Sequence, residues 1–587
     1  MNILTIESLL QAFKQGELTV KDFLTQKYQE AKNDQQNAWI SLITESQLNA
    51  YIANLEHANI DELPLFGVPF AVKDNIDLEG LPTTAACKEY VYQPEQSAFV
   101  VQRLIEAGAV PLGKTNLDQF ATGLVGTRSP WGAVKNTFNP EYISGGSSSG
   151  SGVTVANNQV LFSLGTDTAG SGRVPAAFNN IYGLKATKGL LSCSGVVPAC
   201  KSLDCVTLFS KSAQDLETLF DIVAQHDMED AYSRVRQNTQ PEFVNFKGVK
   251  IGVPTLEQRA FFGNESYQTA FEQSLKRLEQ LGAELVEFNL EPFISAAKLL
   301  YQGPWVAERY AAIEDFFNQD SSRCLPVIET ILSGAKNYSA ADTFKNMYQL
   351  QAYKAQCDVL MASVDLVVTP TAGTIHTIEA VNQNPIELNS QLGYYTNFMN
   401  LLDYAAIAVP ASITDQGLPF GITFFSQCQS DTTLLSLAQA WQESMGLPLG
   451  ATGEMLNQND YMPLLVCGAH MQGLPLNWQL TSLGGVLKQK TQTSTQYQMY
   501  ALAGGPPYRP GMVRNEQEGK AIEVEVWIMP KSSIGALLSM IPAPLGLGSV
   551  ELASGEWVKG FICEPIGLNG ATDITHFGGW RAYMASL

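Results

Sequence analysis

Residues 144–173 read SGGSSSGSGVTVANNQVLFSLGTDTAGSGR, two glycine–serine clusters joined by an apolar run. Serine hydroxyls can act as nucleophiles or proton relays. Glycine lets the backbone approach a ligand closely and adopt dihedrals closed to other residues. A flexible linker has a similar composition. A linker would not enclose VTVANNQVLFSLGTD, so the stretch reads as a folded reactive segment.

Other local patterns must be weighed beside it. Gly108–Thr115 (GAVPLGKT) matches the G-x-x-x-x-G-K-T phosphate loop. That loop needs a strand before it and a helix after it. Here a helical pattern precedes Gly108, and Val110, Pro111 and Leu112 read as the strand itself, so Lys114 is expected to be structural or near the pocket. Gly146–Gly150 (GSSSG) matches the hydrolase elbow G-x-S-x-G, with Ser148 as nucleophile. It would need a histidine base and an acid; of His57, His226, His376, His470 and His576, the last four follow in suitable order. Cys467 and His470 stand three apart without a second pair nearby, so no metal site is expected.

The elements that must position this chemistry alternate between helix and strand over the first 440 residues or so. Ile6, Leu9, Leu10 and Phe13 fall on one helical face, an amphipathic start and not a signal peptide. Ser97–Ala107 reads as a helix stopped by Gly108, and Thr432–Met445 as another, ended by Gly446 and Pro448. FGVPFAV (66–72), AVPLG and DLVVTPT (365–371) read as buried strands. The alternation predicts an α/β fold around a mainly parallel or mixed sheet. The expected division is a first domain over 1–450, a linker over 451–463 and a small α+β or mainly β domain over 464–587.

Composition agrees with that division. The chain has 587 residues, too many for one ordinary domain, and 45% are apolar. Its net charge is −21. Residues 461–587 hold eight basic and eight acidic residues, leaving 28 against 49 in residues 1–460, where the whole excess falls. Such a chain is not built for nucleic acid or an anionic membrane. No apolar run is long enough to span a bilayer. Nine scattered cysteines without a C-x-x-C pair read as reduced thiols of a soluble cytoplasmic protein.

AVKDN (71–75), GGSSSGSG (145–152) and GTDTAGSGRVPAAFNNIYGLKATKG (165–189) together resemble the amidase signature family over about the first 450 residues. The resemblance implies a mixed central sheet covered by helices, no cofactor, and a Ser–Ser–Lys triad. Ser171 would be the nucleophile, Ser147 the bridging serine, preceded by a peptide bond that is typically cis in the family, and Lys73 the terminal base. The backbone N–H groups of Thr168, Ala169, Gly170 and Ser171 would form the oxyanion hole. The chemistry is sound on its own terms. A lysine is a poor base at neutral pH unless burial disfavours its charged form, and Lys73 ends the apolar strand FGVPFAV.

Two further matches are to allophanate hydrolases. YQGPWVAER (301–309) is similar to their substrate segment and implies that Tyr301 and Arg309 bind the substrate. Pro304 suits a first helical turn, which would carry Arg309 on the helix that follows. A guanidinium suits a carboxylate because it offers paired hydrogen bonds. CGAHMQGLPLNWQL (467–480), YALAGGPPYRPGMVR (500–514) and ITHFGGWRAYM (574–584) resemble the additional C-terminal domain, whose fold in relatives is similar to γ-glutamyl cyclotransferases. The resemblance implies conversion of allophanate to ammonia and carbon dioxide through N-carboxycarbamate, with His470 as the second-domain candidate. It also implies a homodimer and a functional link to a biotin-dependent urea carboxylase, or a place downstream of biuret. The alternatives are an amidase of another small amide and a glutaminase-type component of an amidotransferase. Nothing in the sequence suggests a tRNA-binding surface.

Overall fold

A computed structural model describes residues 4–237, 240–454, 461–504 and 508–587. Of the expected linker, 455–460 lie outside the described residues, as do 505–507 of the YALAGGPPYRPG segment. The described chain divides into two compact units. One comprises Met1–Phe271, Leu278–Gln442 and Leu449–Gly453; the other is chiefly Glu454–Leu587, with Glu272–Arg277 and Glu443–Pro448.

The first unit is built on eleven strands: β1 (Trp39–Leu42), β2 (Pro69–Lys73), β3 (Val110–Thr115), β4 (Phe162–Asp167), β5 (Tyr182–Lys185), β6 (Cys205–Ser210), β7 (Lys250–Pro254), β8 (Glu284–Phe288), β9 (Leu366–Pro370), β10 (Ala405–Ile413) and β11 (Pro419–Ser426). Their order across the sheet is β1-β3-β2-β4-β6-β5-β10-β11-β9-β7-β8. β2 runs parallel to β3 and β4, and β7 parallel to β8 and β9. The centre, from β4 through β6, β5, β10 and β11 to β9, is antiparallel. The sheet is therefore mixed, and its helices complete an α/β fold.

The central strands are buried along their whole length and mostly apolar, as strands covered on both faces are. Every residue of β2, β3, β4, β5, β6 and β9 is buried. Phe70 on β2 stacks on Phe162 of β4 with ring centroids 5.0 Å apart. Each such fully buried side chain contributes roughly 1.5–3 kcal/mol relative to exposure. The GKT of the phosphate-loop pattern lies inside β3, and no helix follows it directly. Lys114 is buried there, donating to Thr83 Oγ1 at 2.9 Å and standing 3.3 Å from Asp74 Oδ1. It is a structural cation.

The expected helices form at Ile6–Lys14, Phe99–Glu106 and Asp431–Ser444. The first is capped by Thr5, whose hydroxyl accepts from the Ser8 N–H while the Ser8 hydroxyl accepts from the Thr5 N–H. Among the described residues no helix is long and apolar enough to cross a membrane.

The second unit carries β12 (Tyr461–Val466), β13 (Val486–Gln492), β14 (Tyr497–Ala501), β15 (Pro510–Arg514), β16 (Glu523–Pro530), β17 (Leu545–Glu551), β18 (Trp557–Cys563) and β19 (Thr572–Asp573). They form a five-stranded sheet, β13-β16-β12-β18-β17, and a three-stranded one, β15-β14-β19. Val524, Val526, Leu464, Val466, Met499 and Trp527 belong to its own core. Glu525 is buried in β16 but fully engaged, accepting from Gln472 N–H, Trp527 Nε1 and Arg581 Nη2. With only short helices beside the sheets, this unit is β-rich.

Candidate active site

β2 delivers Lys73 at its C-terminal end, and the helix Ser149–Ala156 is preceded by the segment that carries Ser147. Lys73 Nζ stands 2.8 Å from Ser147 Oγ and 2.7 Å from Thr166 Oγ1, the latter on β4. Lys73 and Ser147 are both 0% exposed. Burial holds the Lys73 amine down to about 7, against the opposing pull of Asp118, Asp204 and Asp167. An amine brought down this far is unprotonated in an appreciable share of molecules at neutral pH. The Gly146–Ser147 peptide is cis. Asp118 crowds Gly146 so closely that a Cβ there would lie 2.1 Å from Asp118 Oδ2, which leaves room for glycine alone.

Ser171 follows β4 on the turn 168–171. Its Oγ donates to the Gly123 carbonyl at 3.4 Å, and the residue is buried. The turn is held by Asp167, whose carboxylate accepts from Gly170 N–H at 2.8 Å, Gly172 N–H at 3.0 Å, and Arg173 Nε and Nη2 at 2.9 Å each. Burial alone would push the Asp167 carboxyl up; the Arg173 charge, its hydrogen bonds and the Gly172 N–H override that and hold it below the ordinary value. Gly170 has φ +134°, and a Cβ there would lie 2.4 Å from Thr396 Oγ1.

The turn offers fewer amides than the expected four. The Gly170 N–H is engaged by Asp167, so it does not face the site as a free donor, contrary to expectation. Among the described residues, no acceptor engages the N–H groups of Thr168, Ala169 and Ser171. The Thr168 hydroxyl donates to Asp204 Oδ1.

The segment YQGPWVAER forms the end of one helix and the start of the next. Pro304 caps the helix Trp305–Ala312, one residue before its first turn, and Arg309 lies on its buried side. The Arg309 guanidinium sits over the Tyr301 ring at 5.5 Å. Its Nη1 donates to Thr122 Oγ1 at 3.2 Å, while its Nε is buried without an acceptor among the described residues. Arg128 reaches the same threonine, donating from Nη1 to the Thr122 carbonyl at 2.9 Å. Its own Nε is likewise buried and without an acceptor among the described residues.

Among the described residues no histidine is hydrogen-bonded to Ser147, Ser148 or Ser171. Ser148 is spent on the backbone, its Oγ donating to the Thr166 carbonyl at 3.0 Å and accepting from the Thr166 N–H at 3.2 Å. The elbow reading of GSSSG therefore fails for a local reason: Ser148 is locked onto β4.

His470, in the second unit, lines a cavity of about 430 Å³ with Cys467, Gln479, Arg509, Met540 and Phe561. Its Nε2 is 2.8 Å from Gln479 Oε1 and its ring stacks on Phe561 at 4.7 Å. Burial lowers its pKa, against the Gln479 hydrogen bond. Among the described residues no group of three or more His, Cys, Asp and Glu side chains could hold a metal.

Sequence reasoning missed Thr166, Arg128 and Asp204. Thr166 stands inside a quoted motif, and its position one residue before Asp167 on a buried strand was the available signal. Arg128 and Asp204 carry no local signal.

Residues 22–435 match the amidase family model, and residues 462–585 match the model of the allophanate hydrolase C-terminal domain. The chain is 45% identical to the urea amidolyase of Saccharomyces cerevisiae over 94% of its own length, and it spans 31% of that protein. It is similar to the solved Kluyveromyces lactis allophanate hydrolase, with 41% identity, 99% of each chain covered and a TM-score of 0.71. A glutamyl-tRNA(Gln) amidotransferase component from Exiguobacterium sibiricum is 31% identical, over 75% of this chain and 97% of that protein.

Proposed function

This chain belongs to the amidase family and carries an allophanate hydrolase C-terminal domain, and from that premise we propose that it hydrolyses allophanate. The observations that carry the reading are a buried lysine–serine pair and a buried arginine that no carboxylate engages among the described residues. The arginine suits a small anionic substrate, and the pair suits attack on its amide carbon. The likeness to the K. lactis allophanate hydrolase along the whole chain supports it.

In this mechanism unprotonated Lys73 takes the proton of Ser147, which takes that of Ser171. Ser171 Oγ leaves the Gly123 carbonyl and attacks the terminal carbamoyl carbon of allophanate. The oxyanion is received by the N–H groups of Thr168, Ala169 and Ser171, each worth roughly 3 kcal/mol in the transition state. Collapse breaks the C–N bond, and the leaving nitrogen takes the proton back through Ser147. Ammonia departs. Water then adds to the acyl-enzyme, releasing N-carboxycarbamate and returning the proton to Ser171. Arg309 and Tyr301 hold the substrate carboxylate throughout.

N-carboxycarbamate loses carbon dioxide, and the carbamate left behind yields the second ammonia. The cavity beside His470 is our candidate for assisting that loss, with an imidazole kept mostly neutral and a nearby Arg509 guanidinium. We assign residues 1–450 to the amidase step, 451–463 to the linker and 464–587 to the second. We place this step after a biotin-dependent urea carboxylase, and the likeness to urea amidolyase supports a place in urea breakdown. The cysteines, all free thiols, fit a reducing cytoplasm, and we take the working unit to be a homodimer.

The deciding experiment is a side-by-side assay on allophanate, biuret, malonamate and simple amides, counting ammonia per substrate. Two ammonia per allophanate and weak turnover of uncharged amides is the expected result. Preference for an uncharged amide would sink the reading.

A further inference from the structure

The segment Ala199–Asp204 touches both halves of this site and belongs to neither. Toward the Arg309 helix, Ser202 donates its N–H to Glu308 Oε1 at 2.7 Å and its hydroxyl to Glu308 Oε2 at 2.8 Å. Cys200 Sγ adds a contact to the Trp305 carbonyl at 3.6 Å. Glu308 is the residue next to Arg309, so the tie grips the helix at the anchor itself. Toward the reactive turn, Asp204 Oδ1 accepts the Thr168 hydroxyl. The same carboxylate is fixed within its own segment by Ala199 N–H at 2.8 Å and Cys200 N–H at 3.2 Å. Asn400 clamps a second point, donating from Nδ2 to the Asp167 carbonyl at 2.7 Å and the Leu203 carbonyl at 2.9 Å.

A bidentate carboxylate at one end and a buried carboxylate at the other make this a short, stiff connection. Hydrogen bonds to charged groups are the strong ones, and a segment fixed at both ends transmits displacement instead of absorbing it. We propose that Ala199–Asp204 is a brace that sets the 168–171 turn by the position of the Arg309 helix, with Glu308, Ser202 and Asp204 as positioning residues. The inference rests on the reading of Arg309 as the carboxylate anchor and of the turn as the oxyanion hole. Under it, a substrate with a carboxylate fixes the helix, the helix fixes Ser202, and the turn's amides are held where charge develops. An uncharged amide leaves the helix unanchored and the turn less well aligned.

The claim is one of coupling, and a double-mutant cycle measures it. Ser202→Ala, Thr168→Val and the double variant are assayed on allophanate for kcat and KM, with thermal unfolding as the check on folding. Each single change is expected to lower kcat by about tenfold, with a smaller change in KM, because a misaligned site loses rate before it loses binding. The double variant is expected to lose no more than the worse single one, since both cut the same connection. Ser202→Thr, which keeps the hydroxyl, is expected to recover most of the kcat lost in Ser202→Ala. Ser202→Ala leaves the Ser202 N–H on Glu308, so Glu308→Ala, which removes both acceptors, is the second and complete route to the break. Losses that multiply in the double variant, or folded single variants with unchanged kcat, would overturn the brace. Arg309→Ala run in parallel separates the two readings. If its KM for allophanate is unchanged the anchor assignment fails, while the Ser202–Thr168 cycle, run on whichever amide is turned over, still decides the brace.

Discussion

Lys73 Nζ and Ser147 Oγ are 2.8 Å apart in a place that neither side chain shares with solvent. Because burial brings the amine down to about 7, its basic form grows in as pH rises through that value and shrinks about tenfold for each unit below it. The kcat/KM for allophanate is expected to climb with pH through about 7 and then level off. An ascending limb centred near 5 or near 9 would remove Lys73 from the role of base. Lys73→Ala should cost roughly 10²–10⁴-fold in kcat, as the loss of a general base does.

Ser171→Ala should abolish ammonia release and leave the fold intact. Among the described residues the hydroxyl's one hydrogen bond is long, at 3.4 Å to the Gly123 carbonyl. Circular dichroism and thermal unfolding should be unchanged to within about 0.5 kcal/mol. Residual turnover at the wild-type rate would mean that another group attacks.

Arg309→Ala should raise the KM for allophanate by roughly thirtyfold, the worth of about 2 kcal/mol for a charged hydrogen bond, and affect uncharged amides much less. Equal losses on both substrates would show that the guanidinium supports the fold and not the carboxylate.

Asp167→Asn is expected to act on stability first. It leaves Arg173, itself 0% exposed, without its counter-charge. Breaking such a buried pair costs roughly 3–5 kcal/mol, readable as a shift in the denaturant midpoint. A variant as stable as the parent would mean that the guanidinium finds other acceptors.

His470→Ala should leave the first ammonia untouched and delay carbon dioxide release behind it. A simultaneous stopped-flow record of ammonia and carbon dioxide checks this. Identical time courses in parent and variant would leave the cavity without a chemical task.

The parts of this molecule visible from sequence were those written in contiguous residues. The strand ending at Lys73, the strand over 110–115 and the helices at 6–14 and 431–444 were legible because periodicity and flanking glycines record them locally. Ser147 and Ser171 stood out because glycine and serine clusters leave few other readings. Asp204 could not be found, because its meaning lies in a contact with Thr168, 36 positions earlier in the chain. Arg128 stayed hidden for the same reason. Thr122, which it shares with Arg309, is near Arg128 in sequence but 187 residues from Arg309. The Gly170 amide was misjudged because sequence gives the donors of a turn and not their acceptors. Asp167, three residues before, takes it.

Gly170 has a consequence for anyone wishing to redesign this catalyst. With Thr396 pressed against it, the backbone at Gly170 has no room for even one methyl group of its own, so the turn that carries the nucleophile accepts no side chain there. On the reading of Tyr301 and Arg309 as the side chains that hold the substrate, a different amide is met by changing those two residues. New substrate ranges should therefore arise by rewriting the two helices that carry Tyr301 and Arg309 while the reacting turn is inherited unaltered.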